Sequence, residues 1–136
     1  MTIAEAMGAL AVAGGALWLG EDGRTNVDTP EEAAEPAAVL RAIRETVTAA
    51  LCDVSAFAAA RCCRSPRVWC EADLLHDAYR ARGGRLDRGT FLAALCPDGG
   101  GRVGTAGLVA CVGLVADWQR EDGGALRHLG RGGRHG

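Results

Sequence analysis

Arg102 to Trp118 reads RVGTAGLVACVGLVADW. Between its terminal Arg102 and Asp117 the run carries no charge, and its apolar residues surround a helical wheel instead of forming one stripe. A helix that is apolar all round is covered by other elements. The stretch therefore predicts a central helix, and with it an all-α bundle of about seven helices and no strand. Val103 to Ala116 is 14 residues, short of the ~20 that span a bilayer, so a buried helix is expected and no integral membrane anchor.

The segments on either side fit that picture. Upstream, CPDGGG (Cys96 to Gly101) is a strong breaker. Before it, Leu86, Phe91, Leu92 and Leu95 mark one helix, separated by Gly83-Gly84 from another that starts at Ser65-Pro66. That second helix carries Val68, Trp69, Leu74, Leu75, Ala78 and Tyr79 and ends near Arg82. Ser55 to Cys63 predicts a short helix around Phe57. From Pro36 to Val54, apolar residues Leu40, Ile43, Val47, Leu51 and Val54 recur at helical spacing. Thr29-Pro30-Glu31-Glu32 is a helix-start signature, Gly20 to Val27 a loop. The first helix is expected from Thr2 to Leu19, with Thr2 and Glu5 forming a capping box. Downstream, a short polar helix is expected after Gly123-Gly124. The chain then divides into one domain over 1–130 and a flexible glycine- and arginine-rich tail over 131–136.

Composition supports a packed domain and narrows its chemistry. The 136 residues include 26 alanines and 20 glycines but only six aromatics, so Ala, Leu and Val must fill the core. The net charge of −2 excludes a nucleic-acid binder driven by bulk charge. All 15 basic residues are arginine, which excludes a phosphate-binding lysine loop. No G-x-S-x-G occurs. The outline of an EF-hand over Tyr79 to Phe91 offers arginines and a single acid, Asp87, where calcium needs several oxygen ligands. The six cysteines contain no C-x-x-C pair, and His76, His128 and His135 do not complete a zinc spacing. The apolar run Gly8 to Leu19 lacks the basic leader of a secretory signal. Reduced thiols are expected, with Cys62-Cys63 exposed at a helix end. Neither an enzymatic activity nor a cofactor is expected.

Three spaced motifs carry a resemblance. Trp118 to Gly124 (WQREDGG) resembles the second homology motif of the Bcl-2 family. Glu71 to Phe91 (EADLLHDAYRARGGRLDRGTF) is similar to the family's fourth helix and first motif, with Gly84-Arg85-Leu86 as the Gly-Arg step. Gly101-Arg102 competes for that step but lies only 16 residues before Trp118. Glu35 to Leu51 resembles the third-motif helix, with Val47-Thr48 where the family has Gly-Asp.

The resemblance implies a pro-survival apoptosis regulator of viral type, in host cytoplasm or peripheral at the mitochondrial outer membrane. It would bind the amphipathic helices of pro-apoptotic Bcl-2 proteins in an apolar groove. The groove walls would be Val47, Ala50, Leu51, Val54, Phe57, Leu74, Leu75, Ala78, Phe91 and Leu92. Arg85, after Gly84, would pair with the partner's acid, while Trp118, Gly123 and Gly124 would hold the second motif's turn. Two alternatives stay open: a Bcl-2-like chain with an occluded groove acting as a homodimer or on another partner, and an unrelated small helical adaptor.

Overall fold

The computed structural model describes residues 1–97, 103–104, 106–120 and 126–129. Among them the expected all-α bundle of seven helices is corrected. Five α-helices and three two-stranded antiparallel sheets make a mixed architecture. The helices are α1 (Ile3–Val12), α2 (Ala34–Ala42), α3 (Arg44–Arg61), α4 (Ala72–Ala81) and α5 (Arg88–Leu95). The strands are β1 (Ala16–Leu19), β2 (Thr25–Asp28), β3 (Cys62–Glu71), β4 (Leu108–Leu114), β5 (Trp118–Arg120) and β6 (Leu126–His128), paired β1-β2, β3-β4 and β5-β6.

The stretch expected to form the central helix is strand β4, followed by a 3-10 turn over Val115–Asp117. A helix there would hold Gly104, Gly107 and Gly113, each costing about 1 kcal/mol relative to alanine. It would also confine the side chains of Val109, Val112 and Val115. A strand suits the valines, and β3 supplies the partner: Cys62 pairs with Leu114, Arg64 with Val112, Trp69 with Ala110 and Glu71 with Leu108. Four residues of β3, Ser65 to Val68, oppose the single Cys111, which adopts a left-handed φ of 68°. Such a backbone costs a non-glycine residue about 1–2 kcal/mol. Pro66 lies inside this irregular segment, where its missing N–H removes no ladder bond. The helix expected to begin at Ser65-Pro66 accordingly starts only at Ala72.

The N-terminal helix keeps its predicted start. Thr2 and Glu5 form the capping box, with bonds of 3.0 Å in both directions. It stops at Val12 rather than Leu19, because Gly14 (φ 85°) turns the chain left-handed. Gly15 N–H then bonds Leu10 O and Gly14 N–H bonds Ala11 O, a Schellman closure. Gly83 (φ 99°) and Gly84 close α4 in the same way, through Arg80 O and Tyr79 O. After α1 the chain forms the β1-β2 hairpin. Thr29 is not a helix cap; its hydroxyl accepts from Arg41 at 2.9 Å. Pro36 sits in the first turn of α2 and is tolerated there. The helix expected over Pro36 to Val54 breaks at Ile43, and α3 runs on to Arg61 through the segment expected to be a separate short helix. Strand β6, pairing Trp118 with His128, replaces the expected polar helix. Gly123, Gly124, Arg102, His135 and the tail over 131–136 lie outside the described residues.

The core unites the helices with the β3-β4 sheet. Inward residues of α1 (Ala6, Met7, Leu10), α3 (Val47, Leu51, Val54, Phe57) and α5 (Phe91, Leu92, Leu95) meet Val109 and Val112 of β4. Asp87 caps α5 by accepting from the Thr90 hydroxyl and N–H, bonds that hold its carboxyl below the ordinary 3.8.

Gly84 is fixed by packing: a Cβ placed on it would clash with the Tyr79 ring. Gly84→Ala is expected to destabilise the fold by about 1–3 kcal/mol, the usual range for forcing extra volume into a packed site. Urea midpoints of the two proteins check this, and equal midpoints would remove the contact from the fold's requirements.

Candidate functional site

Helix α4 is amphipathic, with Ala72, Leu75 and Tyr79 turned inward. The flank of the same helix faces the end of β4. Helix α3 passes directly into β3 at Cys62, and Cys62 pairs with Leu114. Arg61, the last residue of α3, is thereby delivered beside Leu114 and the 3-10 turn. The result is a cleft of about 290 Å3. Its walls are Ala78 and Ala81 of α4 with Leu114, Val115 and Ala116, and Arg61 and Arg82 complete the lining. Val115 is 49 % exposed and so presents apolar surface at the cleft.

Both arginines sit at helix C-termini, where a cation is favoured by the helix dipole. Arg82 donates to Ala56 O at 3.2 Å. Among the described residues neither guanidinium has a carboxylate partner, the ion pair present being Arg88 with Asp73 at 2.8 Å. An apolar cleft bearing two unneutralised guanidinium groups suits a ligand with an apolar body and an adjacent carboxylate.

Beside the cleft, Tyr79 organises a second, smaller hollow. Its hydroxyl donates to Asp53 and accepts from Leu86 N–H at 3.3 Å. The ring stacks on Phe91 (centroids 4.6 Å apart) and meets Phe57 edge-on (5.8 Å). Burial, and then the bond to Asp53, pushes the phenol above its ordinary 10. His76 Nε2 donates to Leu86 O at 3.0 Å, so it braces the same loop.

The structure does bring the ten expected groove residues together, but chiefly as core. Val47, Ala50, Leu51, Val54, Phe57, Leu75, Phe91 and Leu92 are buried, and Leu74 is half-buried against them. Ala78 alone of the ten lines the cleft. Gly84 is taken up by its contact with Tyr79. Arg85 is exposed in the α4-α5 loop and lines neither hollow. Trp118 is buried against Trp69 and His128, with ring centroids 5.8 Å and 4.9 Å away. Sequence reasoning passed over Arg61, Arg82 and Val115. The available signal was an arginine at the end of each of two helices, which gains meaning only once β4 is seen to lie between them.

The thiols differ from expectation too. Cys62 and Cys63 are half-buried, and burial pushes Cys62 up to about 12, with neighbouring Cys63, Cys70 and Cys96 adding to the rise against Arg64. Cys52 and Cys111 are the exposed pair. Among the described residues no three His, Cys, Asp or Glu side chains group as metal ligands, and no helix is long and apolar enough to cross a membrane. No family model, curated protein or solved structure matches the chain.

Two measurements check this chemistry. Because Tyr79 is the sole tyrosine and the chain has no lysine, tyrosinate absorbance reports its ionisation directly. A raised folded value means the neutral phenol's contribution is complete below pH 10 and is lost as pH rises through the folded value. Wild-type urea midpoints are therefore expected to fall above pH 10, and Tyr79→Phe to show a smaller alkaline fall. A thiol reagent at neutral pH is expected to label Cys52 and Cys111 quickly and Cys62 slowly, as peptide mapping will show.

Proposed function

We propose that this chain is a protein-binding module, not an enzyme. It holds an amphipathic segment of a partner with an apolar side chain in the α4-β4 cleft and a carboxylate on Arg61 and Arg82. One observation carries the reading: an apolar cleft of about 290 Å3 whose two guanidinium groups have no carboxylate partner among the described residues. Bidentate guanidinium–carboxylate bonding would set the register of the bound segment, while the apolar anchor supplies affinity. This chemistry, an apolar anchor beside an acid, is also what the motif resemblance implies of pro-apoptotic helices. Those helices are accordingly the first partners to try. The site differs from the groove that the resemblance implies, since the residues named for that groove are mostly core.

Calorimetric titration with a panel of pro-apoptotic helix peptides, and with acid-to-alanine versions of each, tests the proposal. Loss of one partner of an interfacial charge pair costs about 2–5 kcal/mol, so Arg61→Ala with Arg82→Ala is expected to weaken binding by roughly thirtyfold or more. Val115→Asp is expected to weaken it as well, and Arg85→Ala to leave it unchanged. An effect confined to Arg85 would move the site to the α4-α5 loop, and failure of every amphipathic acidic peptide to bind would overturn the reading.

A further inference from the structure

We propose a second, separate site: the hollow between the β1-β2 turn and the start of α3 binds a phosphate monoester. The hollow measures about 420 Å3, and Arg24 and Thr25 line one side while Arg44, Glu45 and Thr48 of α3 line the other. That volume falls in the range of small-molecule sites and exceeds what a bare anion fills, so an ester with an organic body is the fitting class.

Two features define the anion end. The first is the floor. Thr25 is only 5 % exposed, and its Oγ1 lies 2.6 Å from Thr48 Oγ1. Two hydroxyl groups share that one bond, so a single proton is used in it. Among the described residues neither hydroxyl makes another bond, which leaves the second proton without an acceptor. An ester oxyanion would supply one.

The second feature is charge. Arg24 and Arg44 are exposed, and no carboxylate among the described residues pairs with either guanidinium. Asp22, the nearest acid in sequence to Arg24, accepts from its backbone N–H at 3.0 Å. Glu45 is the one acid in the lining, so two cations face a single carboxylate.

Titration calorimetry at fixed ionic strength, with inorganic phosphate, ribose 5-phosphate and ribose as probes, tests the site. Ribose 5-phosphate is expected to bind, phosphate more weakly, and ribose not at all. Arg24→Gln and Arg44→Gln are each expected to lower affinity about tenfold, and Thr48→Val to lower it too. Glu45→Gln is expected to raise affinity several-fold, a gain that misfolding cannot produce. Arg61→Gln, at the α4-β4 cleft, is expected to leave it unchanged, which separates this site from the peptide-binding proposal. Circular dichroism of each variant confirms that the fold is kept. The proposal is overturned if no phosphate ester binds, if ribose binds as well as its phosphate, if both Arg24→Gln and Arg44→Gln are silent, or if Arg61→Gln weakens binding equally.

Discussion

Tyr79 is the point at which three helices and a loop are tied together. It is 2 % exposed, yet its hydroxyl is satisfied twice, by Asp53 of α3 and by the N–H of Leu86. A buried phenol without such partners would cost free energy on the order of 1–3 kcal/mol, so the ring can sit in the core only where these two groups meet it. The ring is also committed. Phe91 of α5 stacks on the ring, and Gly84 lies against it as α4 ends. The α4-α5 turn therefore has little freedom, which is why Gly83-Gly84 marks both a helix end and a packing contact.

The pairing of β3 with β4 is the second constraint, and it creates the α4-β4 cleft. With Cys62 opposite Leu114, the end of α3 and the end of β4 must lie side by side. Two arginines at helix C-termini then flank an apolar floor. The sheet tolerates an irregular segment to do this: Ser65 to Val68 opposes Cys111, whose left-handed backbone absorbs the mismatch. The hollow beside the β1-β2 hairpin depends on a different junction, where Thr25 is buried against Thr48.

Much of the site escaped the sequence for one reason. Its residues come from α3, α4 and β4, and their proximity follows from long-range strand pairing that no local pattern records. Helical periodicity placed Leu40, Val47, Leu51 and Val54 on one face, and the resemblance drew groove walls from residues of that kind. Periodicity identifies a buried face, however, and does not distinguish a closed core from an open groove. Val47, Leu51, Val54 and Phe57 are the example: each points inward, and each is covered.

Local signals determined local structure. The Thr2 and Glu5 capping box, the amphipathic spacing of α3 and α4, and the helix stop at Gly83-Gly84 are all short-range effects of hydrogen bonding and steric freedom, and each is present. Gly14-Gly15 carried the same stop signal inside a run that hydrophobicity alone made look continuous. The state of RVGTAGLVACVGLVADW was not fixed locally. Its apolar residues suit burial in either geometry, and its glycines and valines tilt the balance against a helix by only a few kcal/mol. Only the tertiary structure, by presenting β3 as a partner for the open backbone groups of β4, made it a strand. A strand's hydrogen bonds are made to another segment, whereas a helix makes its own.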